Sequence, residues 1–174
     1  MARTVKRKGP TKRVRLAAAL REAMGPLMRA HGFDHPPKSN PGYSNLHPRA
    51  DQWYRWVGDE RQVVEVDWAE YSKPKFLIRW WDDSKLLESG HMLTFLLEVP
   101  GGRFVRPLGI GAFGGLWPIS FTVRKAMERL QQLLTYWDTG VTSPRLGLDD
   151  PHRQPFPFKE WEPELPRPAS EPTT

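Results

Sequence analysis

The 174-residue chain contains no cysteine. A disulfide framework, a thiolate zinc site and a cysteine nucleophile are therefore unavailable, and a reducing compartment is the natural setting. No apolar run approaches the roughly 20 residues that a membrane-spanning helix needs. The early apolar stretch Leu16 to Leu20 is cut short by Arg21 and Glu22 before it could serve as a signal-peptide core. The expectation is a soluble, cytoplasmic protein without a membrane partner. Acidic residues are missing from positions 1–21, which hold eight of the 26 Lys and Arg residues. The remaining chain carries 18 bases against 20 acids, or −2, so the formal net charge of +6 belongs to an arm and the start of a helix.

Large aromatic side chains are plentiful: eight Trp and eight Phe give the middle of the chain enough apolar surface to build a core. The length suits one domain. Residues 1–10 are read as a disordered basic arm ending at Gly9-Pro10, residues 11–142 as a single domain, and residues 143–174 as a proline-rich tail. From Thr11, a candidate N-cap, Leu16, Leu20, Met24 and Leu27 fall on one helical stripe. Gly25-Pro26 is a place for a kink or split, and Gly32 is a stop with Phe33 packing back. Residues 34–51, with four prolines, read as a long loop.

Period-two patterns predict strands at Trp53–Val57, Gln62–Trp68, Phe76–Trp80 and Leu93–Val99, with a short fifth near Phe104–Leu108. Ile119, Val123, Met127, Leu130, Leu134 and Trp137 predict a closing helix between Pro118 and Gly140. The fold class that buries every stripe is α+β: an antiparallel sheet of four or five strands with two amphipathic helices packed on one face.

Catalytic motifs are sparse. Gly109-Ile110-Gly111-Ala112-Phe113-Gly114 matches the spacing of a dinucleotide-binding turn, but no second parallel strand with an acidic end follows, and a flexible connection suits the glycines better. His31 and His35 are separated by Gly32 and precede Pro36, so they share no helical face, and His47, His91 and His152 are isolated. Glu65, Asp67, Asp82 and Asp83 could form a carboxylate cluster for metal-assisted hydrolysis, although a solvated strand face accounts for them more simply and is the preferred reading. No catalytic residue, metal ligand or cofactor is assigned.

Adjacent tryptophans on a strand cannot both enter one core. Trp53, Arg55, Arg79 and Trp81 are therefore candidate partner-binding residues, exposed aromatics beside arginines being suited to a protein interface or to base stacking. Lys6, Arg7, Lys8, Lys12, Arg13 and Arg15 are candidate phosphate contacts for weak, non-specific nucleic-acid binding.

Leu27-Met28-Arg29-Ala30-His31-Gly32-Phe33, Trp53-Tyr54-Arg55, Gln62-Val63-Val64-Glu65-Val66, Phe76-Leu77-Ile78 and the later Trp117-Pro118-Ile119 carry a resemblance to a known group. In these segments the chain resembles the bacterial family catalogued as domain of unknown function 4304. The resemblance implies the fold and no activity, because that family has no assigned catalytic set. The arm, the 34–51 segment and the tail depart from its pattern. The expected function is a non-catalytic protein-interaction module of accessory or immunity type. Nucleic-acid binding through the arm and exposed aromatics is the first alternative, and a metal-assisted hydrolase using strand carboxylates the second.

Overall fold

The computed structural model describes residues 9–35, 50–68, 74–85, 95–97 and 113–146. Lys6, Arg7 and Lys8, Leu93, the expected strand near Phe104–Leu108, most of the 34–51 segment and the tail from residue 147 lie outside the described residues.

The first helix, α1, spans Lys12–Ala30. Thr11 stands at its N-cap in extended conformation, and its hydroxyl accepts from the Val14 amide. The helix runs unbroken through Gly25-Pro26, where the sequence offered a kink or split. Pro26 is exposed, so the Glu22 carbonyl that its ring deprives of a donor can turn to water. At the far end Gly32 takes φ 77, and the Gly32 and Phe33 amides donate to Arg29 and Met28 carbonyls. This is the paired closure that satisfies the last helical carbonyls, and Phe33 is buried against the core.

Strands β1 (Ala50–Val57) and β2 (Glu60–Trp68) form an antiparallel hairpin. Gly58, at φ 61, supplies the left-handed residue of its two-residue turn, so β2 begins at Glu60, closer to the turn than its apolar alternation implied, while β1 begins at Ala50, inside the segment that reads as a loop. Strand β3 (Lys75–Asp82) pairs with β2. Its other edge is shared by β4 (Phe95–Leu96), opposite Arg79 and Trp80, and β5 (Phe113–Gly114), opposite Lys75 and Phe76. The result is a five-stranded antiparallel sheet with β1-β2-β3-β4 in spatial order. The second helix, α2, spans Ile119–Thr139, with Pro118 as its N-cap residue and Gly140 closing it at φ 72.

Register decides which residues meet the helices. Trp53, Val64, Trp80 and Phe95 lie in one cross-strand row, Val66 and Ile78 in the next, and Trp68, Phe76 and Phe113 in a third. All of them join Leu16, Leu20, Met24 and Met28 of α1 and Ala126, Leu130, Leu133 and Leu134 of α2 in one hydrophobic core. The α+β architecture with both helices on one sheet face is thus present.

The buried stripe of α2 is rotated from the expected one. Thr122, Ala126 and Leu133 are fully buried, whereas Val123 and Met127 are only partly so. Small side chains at the contact let the helix approach closely, and the bulky ones flank it. Thr122 bonds its hydroxyl to the Pro118 carbonyl and so carries no unsatisfied polar atom into the core.

The two helices run in the same direction. Lys12 Nζ donates to the Gly115 and Trp117 carbonyls at 2.7 and 2.8 Å, joining the N-terminal ends. At the C-terminal ends Phe33 and Trp137 are in ring contact, and His31 Nδ1 lies 3.0 Å from Asp138 Oδ2. The chain beyond α2 returns to the core: Leu146 is fully buried, and Trp80 Nε1 donates to its carbonyl at 2.9 Å. The composition change at residue 143 therefore precedes a core contact, at Leu146.

Candidate functional site

Three groups of chemically capable side chains are available, and the sheet and the helix pair set where each one points. The first lies on the sheet face turned away from the helices. Period-two alternation sends Tyr54, Trp56, Arg61, Val63, Glu65, Asp67, Arg79 and Trp81 there. The carboxylates are already engaged. Arg79 Nη2 donates to Asp67 Oδ2 at 2.7 Å and its Nη1 lies 4.0 Å from Glu65 Oε1, while Gln52 donates to Glu65 Oε2 at 2.8 Å. Asp83 accepts from the Arg61 backbone and side chain.

Asp82 is carried to the opposite face, where it accepts from Trp137 Nε1 at 3.1 Å and from the Ser84 hydroxyl. The four acids considered for a hydrolytic cluster are therefore divided between two faces. Among the described residues no group of three or more His, Cys, Asp or Glu side chains could hold a metal ion. Burial raises the Tyr54 pKa above its ordinary value, with the nearby Asp34 charge adding to the effect.

The second group lies where the C-terminal ends of both helices meet β1. Arg55 donates from Nε to Gln62 Oε1 at 2.7 Å, from Nη1 to the His31 carbonyl at 2.8 Å and from Nη2 to Asp138 at 3.0 Å. Its guanidinium also rests over the Phe33 and Trp137 rings. Every edge of the fork is occupied, and only 12% of the side chain is exposed. This cluster fastens elements together. Nearby, His35 places its ring 3.6 Å, centroid to centroid, from Trp53, and the burial of that ring lowers its pKa despite a bond to Gln52 that opposes the shift.

These placements correct the partner-binding set. Trp53 belongs to the core, where its row of the sheet meets the helices. Arg55 is consumed by the helix termini, and Arg79 by Glu65 and Asp67. Trp81, opposite Val63 on the other face, is half-buried. A contiguous aromatic and arginine surface is not assembled from these four residues.

The third group surrounds the joined N-terminal ends of the helices. Of the expected phosphate contacts described here, Lys12 is committed to two carbonyls, and Arg13 lies over the Trp68 ring. Arg15 is exposed. Near its own N-terminal end α2 supplies residues that the sequence pattern did not single out. Phe121 meets Trp117 edge to face with centroids 5.4 Å apart, Arg124 lies 5.5 Å from the Phe121 ring, and Lys125 6.0 Å. Arg124 is exposed, and Trp117 and Phe121 keep part of their rings in solvent. Lys125 pairs with Glu128 at 2.6 Å, and this bond is the main reason the Glu128 carboxyl lies below its ordinary pKa.

Leu116 in the turn before α2 is wholly exposed, and Val14 of α1 mostly so. Helical spacing of Trp117, Phe121, Arg124 and Lys125 was the available signal for this surface. It was obscured by the larger apolar stripe of the same helix. Gly9 and Pro10 lead into α1 at this same end.

No family model, curated protein or solved structure shows detectable similarity to the chain.

Proposed function

We propose that the protein binds nucleic acid through the surface at the N-terminal ends of α1 and α2. The observation that carries this reading is the meeting of two sources of positive charge that are far apart in sequence. Exposed Arg15 lies in the first turn of α1 and exposed Arg124 in the second turn of α2, the two helices whose N-terminal ends Lys12 joins, and the acid-free segment holding Arg3, Lys6, Arg7 and Lys8 precedes α1 in the chain. Trp117 and Phe121 add partly exposed rings beside Arg124. Aromatic and cationic groups in one patch are what a phosphate backbone and its bases require, whereas scattered surface charge is not. The interaction-module reading loses support in proportion, since three of its four anchors are committed inside the fold.

Phosphate contact releases counterions, so affinity should fall with salt. With Arg15, Arg124 and the four cations of residues 1–8 in play, four to six contacts correspond to a log–log salt slope of roughly −3 to −4 on a single strand. The test is an anisotropy titration between about 50 and 200 mM salt. It compares the full chain, a chain lacking residues 1–8, and Arg15→Glu/Arg124→Glu. Cutting after residue 8 leaves the Thr11 cap and the Lys12 junction in place. Each variant should bind more weakly with a shallower slope. Unchanged affinity in both variants, or no binding by the full chain at low salt, would refute the proposal.

A further inference from the structure

Arg124 belongs to two features. Besides standing over Phe121, it forms one end of a cleft of about 820 Å³ that follows the outer side of α2. Leu27 of α1 and the Val141–Ser143 segment, which folds back after Gly140, complete the walls. From Arg124 to Thr135 the helix advances about 16 Å, so the cleft leads directly away from the basic and aromatic patch. Its lining is mixed: Met127, Leu27 and Val141 are apolar, whereas Gln131, Gln132 and Thr135 present amide and hydroxyl groups. Glu128 also lines it, but its charge is matched by Lys125. Gln132 Oε1 is buried and accepts no hydrogen bond, an arrangement that costs free energy until the side-chain amide turns toward the cleft and meets a donor.

We infer that this cleft takes unpaired nucleobases, so that the ligand is a single strand and not a duplex. The inference rests on the proposed nucleic-acid reading and specifies its substrate. Paired bases keep their faces stacked and their Watson–Crick edges occupied, so a duplex could offer this cleft only its backbone. An unpaired base brings an apolar face for Met127 and Leu27, and an exocyclic amine or ring N–H of the kind that the Gln132 carbonyl lacks. The cleft is open on its outer side, and its volume leaves room for one or two bases laid against the helix. Phosphates at the Arg124 end would set the register, and the cleft would select strandedness.

The experiment compares a labelled single strand of about twelve nucleotides with its duplex, at low salt, using the full chain and Thr135→Trp. Thr135 is exposed on α2, so the indole fills the cleft without entering the core. The single strand should bind at least about tenfold more tightly than the duplex, and Thr135→Trp should remove that preference while leaving duplex affinity unchanged. Gln132→Leu should weaken single-strand binding alone. Equal binding of both forms, unaffected by Thr135→Trp, would overturn the inference and leave the basic surface standing. Absence of binding to either form, or binding only to vesicles of anionic lipid, would overturn both.

Discussion

Gly114 sits where β5 meets the segment leading into β3, at φ 104, and a Cβ added there would lie 2.1 Å from the Pro74 carbonyl oxygen. That oxygen accepts from the Gly115 amide at 2.8 Å and cannot withdraw without breaking the bond. Gly114→Ala therefore meets both backbone strain and a collision with main chain, and should cost at least about 2 kcal/mol, measurable as a lower urea midpoint with an unchanged slope. Tyr54 gives a second residue-scale expectation. Its raised pKa means that the folded state holds the phenolic proton above pH 10, where the unfolded chain releases it. The stabilisation is complete below the ordinary value of 10.0 and declines as pH rises through the folded pKa. Tyr54→Phe should consequently lose less stability than the parent between pH 9 and pH 11 in paired thermal melts.

Among the elements, the two helices are pinned at both ends by different chemistry. At the C-terminal end Asp138 bridges His31 and Arg55 while remaining 40% exposed, so water screens part of the attraction. Asp138→Ala should cost about 1–2 kcal/mol, and Arg55→Ala more, since Arg55 also serves Gln62 and the His31 carbonyl. A double-mutant cycle in urea would resolve the coupling between them.

The helix limits were readable because Thr11, Gly32 and Gly140 act locally, through a cap or a left-handed residue. The first three strands were readable from alternation, which also put Trp80 on the apolar face with Phe76 and Ile78 and left Trp81 on the other. Strand β5 was not, because Phe113–Gly114 falls in a glycine-rich stretch that reads as a flexible connection and pairs with β3 only through the fold. The same limit hid the fate of Arg55 and Lys12. A charged residue beside aromatics looks exposed until the partners that consume it, more than twenty and a hundred residues away respectively, are in place. The α2 surface with Phe121 and Arg124 was spelled out in helical spacing, and the rotated stripe of that helix turned it toward solvent.

For the whole molecule, charge and core extend differently from composition. The excess of bases is concentrated before residue 22, and the parallel helix pair brings the N-terminal end of α2, with exposed Arg124 in its second turn, to the same end of the fold as the start of α1. The core in turn reaches Leu146, within the proline-bearing stretch. Leu146→Ala would leave a cavity beside Trp80 and should cost about 2–5 kcal/mol in thermal or chemical denaturation. The parallel helix pair has a kinetic consequence. Lys12 meets its acceptors across 103 and 105 positions of sequence, and Trp80 reaches Leu146 across 66. The β1–β2 hairpin closes locally, but among the described residues the helix that packs beside α1 on the sheet is α2, made about ninety residues later. Folding should therefore be slow for a chain of this length, with loop closure setting the barrier. On the ribosome, α1 and the hairpin would wait with an apolar face uncovered until residues beyond 139 emerge, and that interval is when the protein is most open to aggregation or to a chaperone.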